Sequence, residues 1–132
     1  MRSHLATGEK PLDWVGSAKE NFLAFPVPVQ REIGNALGLA QFGGKHPKAK
    51  PWKGEGPGVF EVADDFDGDT YRAVYTVRFR QAVYVLHAFQ KKSPRGKRTA
   101  RTDIDVIARR LKIARQDYEV RHGKSEGRQR QG

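Results

Sequence analysis

The sequence predicts an α+β domain: an N-terminal strand and helical hairpin, a three-stranded antiparallel meander and a C-terminal helix. Three observations carry that prediction. Tyr71, Ala73, Tyr75, Val77 and Phe79 alternate with Arg72, Thr76, Arg78 and Arg80, the two-residue period of a strand with one apolar and one wet face. Val83 to Phe89 is apolar on both sides, as in a central strand. Val29, Ile33, Ala36, Leu37 and Ala40 recur at i, i+4, i+7, i+8 and i+11, one face of a helix.

The remaining elements follow in chain order. Pro11 to Val15 reads as a short first strand. Ser17 and Glu20 have capping-box spacing, which starts a short helix carrying Phe22, Leu23 and Phe25. Pro26 and Pro28 stop it, and Pro28 suits the first turn of the second helix. Gly43-Gly44 ends that helix. Lys45 to Pro57 reads as a loop rich in Gly, Pro and Lys. Val59 to Val62 is the first meander strand, and Asp67-Gly68 is a pair favoured in two-residue hairpin turns. Ser93 to Arg101 is a basic loop. Thr102 reads as an N-cap, followed by Ile104, Ile107, Ala108, Leu111, Ala114 and Tyr118 at helical spacing. The expected arrangement places the helices on one sheet face. Residues 1–10 read as a flexible N-terminus, 11–120 as the folded domain and 121–132 as a disordered basic tail.

At 132 residues, one domain is expected. The absence of cysteine excludes a disulfide framework, a thiolate metal site and a cysteine nucleophile. No apolar run approaches a membrane span, and Met1 to Lys10 has no apolar signal core, so a cytoplasmic protein is expected. His4, His46 and His122 lack ligand spacing. The Asp65-Asp67-Asp69 alternation fails as a calcium loop because the glycine comes too early. No metal and no cofactor are expected. The formal charge is +10, and Lys91 to Gly132 holds 14 Lys/Arg against 5 Asp/Glu, a net of +9. So concentrated a field favours a polyanion, nucleic acid first. A solvated basic helix and tail is the plain alternative.

Several segments together resemble the RelE/ParE superfamily of toxins, in particular the phage-derived RelE-like branch near HigB. They are Phe25-Pro26, Ile33 to Leu37, Ala40 to Gly43, Gly58 to Glu61, Tyr71 to Tyr75, Val85 to Ser93 and the Asp103-Ile104 helix with Ala108-Arg109. The resemblance implies a RelE-like fold over 11–120 and a type II toxin that cuts mRNA without a metal, commonly on the ribosome. It also implies a cognate antitoxin, commonly of helix-turn-helix type, through which operator DNA is reached. The ParE side of the superfamily inhibits gyrase instead, so a non-catalytic gyrase inhibitor and a nucleic-acid-binding accessory protein are the alternatives.

Metal-free RNA cleavage needs cations aimed at the equatorial phosphate oxygens of the transition state. The resemblance assigns Arg72 to the scissile phosphate, where its planar fork suits two oxygens. The structural alternative pairs Arg72 with Asp69 or Glu61. Lys91 and Lys92 match the basic end of the family's last strand. As neighbours they point to opposite faces, so one binds transition-state charge while the other holds flanking backbone. His87 has the chemistry of a general acid or base, but its apolar strand equally suits a core-edge histidine bonded to a neighbour. The family's usual Tyr, His or acidic group beyond the last strand is missing from Ser93 to Thr102. Lys53 and Arg78 are expected to hold RNA backbone, with Trp52 and Phe89 stacking on bases or packing in the core.

Overall fold

A computed structural model describes residues 5–91 and 99–123. The elements are β1 (Leu12–Trp14), α1 (Ala18–Leu23), α2 (Val27–Gln41), β2 (Ala49–Pro51), β3 (Val59–Phe66), β4 (Asp69–Thr76), β5 (Val83–Lys91) and α3 (Arg101–His122). They form one five-stranded sheet in the order β1-β5-β4-β3-β2. β1 runs parallel to β5, and every other pairing is antiparallel.

The expected helical hairpin and meander are present. Pro28 lies in the first turn of α2, whose buried face is Val29, Ile33, Ala36, Leu37 and Ala40. Gly43, at φ +87°, lets the Gly44 N–H return to the Leu39 carbonyl and close the helix. Asp67 and Gly68 both take positive φ, as a two-residue hairpin turn requires, and Phe66 pairs with Asp69 across it.

Four expectations are corrected. The helices do not share one face. α1 and α2 pack on one side of the sheet through Phe22, Phe25, Ile33 and Leu37, against Tyr75, Val83 and Val85. α3 packs on the other through Ile107, Leu111, Ala114 and Tyr118, against Val59, Val74, Tyr84 and Leu86. The cause lies in β5, which is apolar on both faces and needs a cover on each. The narrow stripe of α3 is enough to supply the second.

The Lys45–Pro57 loop holds a strand, β2, whose Lys50 stands opposite Glu61 of β3. Three residues ending in proline are too short to show a period, and proline is tolerated there because β2 is an edge. β4 ends at Thr76 rather than Phe79, because the Thr76 hydroxyl bonds the Gly58 carbonyl and accepts from the Arg78 N–H. Finally, neither expected cap forms. Ser17 precedes α1 but makes no capping bond. Its hydroxyl accepts instead from Asn21 and from Arg110, while α3 starts after Ala100, one residue ahead of Thr102. At its other end α3 continues to His122, and Arg121 pairs with Asp13 at 3.2 Å.

β5 carries one irregularity. Val74 pairs with His87 and Tyr75 with Val85, so an extra residue is inserted between them. Leu86 and His87 therefore both lie on the α3 side, while Val85 and Ala88 join the opposite core. Arg110 of α3 bonds the Leu86 carbonyl at 3.0 Å, securing the helix at the bulge.

Candidate functional site

A cleft of about 700 Å³ opens on the α3 side of the sheet. Lys50, Trp52 and Lys53 from β2 and the turn after it line one side, Arg101 and Ile104 from the start of α3 the other, with Glu61 of β3 between. Strand alternation dictates who faces it. Val62 and Ala73 point into the α1–α2 core, so Glu61 and Arg72 point the other way. Register puts Arg72 opposite Ala63 on one neighbour and Phe89 on the other, and its guanidinium reaches diagonally to Glu61.

That contact is the ion pair with Glu61 expected as the structural alternative for Arg72, which is not itself among the residues lining the cleft. The Arg72 Nη1 donates to Glu61 Oε1 at 2.5 Å, with each side chain about one-fifth exposed (19% and 20%). The Arg72 Nε is buried without a partner among the described residues. An acceptor and a cation thus lie side by side in a half-buried place where Coulomb forces exceed those in water.

His87 lies under α3. It is 7% exposed, its Nε2 is 2.8 Å from the Asp103 carboxylate, and its Nδ1 is buried with no partner among the described residues. Its ring stacks on Phe89, with centroids 4.7 Å apart. Burial pulls the imidazole below its usual pKa and outweighs the opposing pull of Asp103. The neutral ring that results donates from Nε2 to the carboxylate. His87 therefore fixes the first turn of α3, and with it Ile104 of the cleft, to the sheet.

The depressed pKa has a sign that can be measured. Protons bind the unfolded imidazole more readily than the folded one. The stabilisation is complete above about pH 6.5 and is lost as pH falls from there through the lowered folded value. The melting temperature of the wild-type protein should drop more steeply between pH 7.5 and 5.5 than that of His87→Gln, which keeps a donor but does not titrate. Parallel curves would contradict this.

The other expected residues divide. Lys53 stands exposed at the cleft. Trp52 lines it too, but at 9% exposure it belongs to the α3-side core, and its N–H closes the β2–β3 ladder on Val59. Phe89 is buried in the same core beside Arg72, so packing is its structural place. Lys91 ends β5 opposite Thr70, half-buried. Lys92 lies outside the described residues. Arg78 is corrected most sharply. It is off the sheet face, with Nε bonded to the Pro57 carbonyl and Nη2 to those of Glu55 and Pro57. Glu55 and Pro57 lie in the turns between β2 and β3, and the guanidinium satisfies their carbonyls.

From the sequence, Glu61 is expected only as a structural partner of Arg72 and Asp103 only as part of its helix. The signal for Glu61 was its odd-numbered phase in β3, which sets it on the same face as Arg72 once the hairpin register is known. Among the described residues no group of side chains could hold a metal ion, and no helix is long and apolar enough to cross a membrane.

The arrangement of sheet and helices is that of RelE. E. coli toxin RelE, solved in the free state as a mutant with two arginines changed to alanine, aligns with a TM-score of 0.55 at 18% identity, covering 78% of this chain and 98% of that one. The toxin–antitoxin complex RelBE2 from Mycobacterium tuberculosis aligns with a TM-score of 0.40 at 18% identity, over 64% of this chain and 94% of that chain. The class is thus an α+β domain of RelE fold. Within it, the chain belongs to the family described as phage derived protein Gp49-like (DUF891), whose model matches residues 20–112. No curated protein matches it.

Proposed function

We propose that this protein is the toxin of a type II toxin–antitoxin pair and that its α3-side cleft is a metal-independent endoribonuclease site for mRNA engaged on the ribosome. Glu61, which lines the cleft, and the Arg72 paired to it carry the reading. RNA cleavage by internal attack asks for a base at the 2′-hydroxyl and a cation at the phosphate oxygens. Glu61 takes the 2′-hydroxyl proton, and the freed oxygen forms a bond to phosphorus. Arg72 turns its fork from Glu61 to the equatorial oxygens as charge gathers there. The bond to the 5′-oxygen breaks, and that oxygen takes a proton from water at the open rim. A 2′,3′-cyclic phosphate and a 5′-hydroxyl are the products.

Lys50, Lys53 and Arg101 hold the flanking backbone, and Lys91 adds positive charge from the end of β5. His87 is a positioning residue, since its buried ring does not line the cleft and acts by holding Asp103 at the start of α3. Supporting this reading are the fold shared with the E. coli toxin RelE and the family match. The partners that follow are an antitoxin of helix-turn-helix type and mRNA on the ribosome in the cytoplasm. Operator DNA is reached only through the antitoxin.

Primer extension on cellular mRNA after a short induction pulse tests the proposal. Cuts at defined codon positions with 5′-hydroxyl ends are expected, and Lys53→Ala should weaken them without removing them. Growth arrest with intact mRNA and inhibited supercoiling would replace this reading with gyrase inhibition. Salt-sensitive binding with neither effect would leave an accessory nucleic-acid-binding protein.

A further inference from the structure

A second cavity, of about 290 Å³, lies across the sheet from the cleft, at the C-terminal end of α2. Ala40, Phe60 and Val77 give it apolar walls, and Lys10 and Lys45 line it with two ammonium groups. Tyr75 also lines it. That tyrosine is 1% exposed, and no described residue hydrogen-bonds its hydroxyl. The hydroxyl is not one of the buried unpartnered atoms, which among the described residues are the Arg72 Nε and the His87 Nδ1, so it reaches accessible space and can donate to a ligand there. Burial also pushes the phenol up to about 12, so at neutral pH it keeps its proton and acts as a donor.

The chemistry of the lining narrows the guest. Two cations and one O–H donor, with no carboxylate among the lining residues, select an anion. The Phe60 and Tyr75 rings, 5.9 Å apart and inclined at 30°, offer a flat apolar surface, and the Lys45 ammonium stands 5.4 Å from the centre of the Phe60 ring. The volume sits at the small end of ligand pockets, enough for about one ring and a short substituent. We propose that this cavity binds a small organic anion of the aromatic carboxylate class, its ring against Phe60 and its carboxylate held by the Tyr75 hydroxyl and the two lysines. The site faces away from Glu61 and Arg72, so it stands apart from the RNA reading.

The ¹⁵N-labelled 132-residue chain, titrated with benzoate, benzamide and acetate, tests this. Benzoate should shift the amides of Gly43, Gly44 and Val77 saturably. Benzamide, with the ring but no charge, and acetate, with the charge but no ring, should each bind about tenfold more weakly, the worth of one charge-assisted hydrogen bond. Tyr75→Phe keeps the ring and the fold and should weaken benzoate about tenfold, as should the surface change Lys45→Ala. The proposal is overturned by an unsaturable benzoate response, by benzamide or acetate matching benzoate, or by both variants binding as the wild type does.

Discussion

Arg72→Lys should lower RNA cleavage by about a hundredfold to a thousandfold, the usual cost of losing one preorganised oxyanion donor. Lysine preserves the charge beside Glu61 but not the fork that meets two phosphate oxygens at once. The substitution therefore separates chemistry from folding better than alanine would, because alanine leaves Glu61 half-buried without a counter-ion. Glu61→Gln is its complement. The amide still accepts from Arg72 but takes no proton and no longer balances its charge, so the melting temperature should fall moderately while cleavage falls by a similar factor in protein that remains folded. Single-turnover cleavage of a short RNA on purified ribosomes, with thermal melts of the same preparations, measures both. Wild-type cleavage by a folded Arg72→Lys protein would remove Arg72 from the chemistry. Equal loss in both variants, with no further loss in the double mutant, would mark the pair as a unit.

Ile107→Ala should destabilise the protein by about 2–5 kcal/mol, with a fall in melting temperature on the order of 10 °C. Ile107 is 0% exposed and sits where α3 meets Val74 and Leu86 on the sheet. Truncation leaves a void under the helix that Arg110, held at the β5 bulge, prevents from closing. The control lies six residues along the same helix. Ile113 is 44% exposed, so Ile113→Ala should fall within about 0.5 kcal/mol of wild type. Urea denaturation of both reads the difference. Equal effects would mean that α3 is not docked as described. Because Ile104 and Arg101 reach the cleft from the first turn of α3, the Ile107 variant should also lose cleavage at temperatures well below its melting point.

The sequence made some of this legible and concealed the rest for physical reasons. The hairpin at Asp67-Gly68 and the buried stripe of α2 were readable because local backbone chemistry and a long period state them directly. The double burial of β5 is readable too, but its consequence, a helix on each face, is obscured because the apolar stripe of α3 is thin. β2 was hidden by its length. The site was legible as a set of residue types but not as a geometry. Arg72 and Glu61 stand eleven residues apart, and only the register of β3 on β4 brings them together. Arg78 shows the converse. Its strand phase suggested an open cation, but the strand ended two residues earlier and turned the guanidinium onto loop carbonyls. His87 was balanced between two roles, and the bulge in β5, invisible to a simple two-residue period, sends it beneath the helix.

The margins of the sheet have a consequence for how other chains can join it. β1 and β2, the two outermost strands, are three residues each, and a proline stands immediately before one and ends the other. The two short strands themselves offer an intruding peptide few amides, but they cover only Val83–Val85 of β5 and Phe60–Val62 of β3, so no strand among the described residues lies beside Leu86 to Gln90 or Ala63 to Phe66 on those sides. A polypeptide that captured this domain by lengthening its sheet would therefore pair beyond β1 or β2 rather than on them.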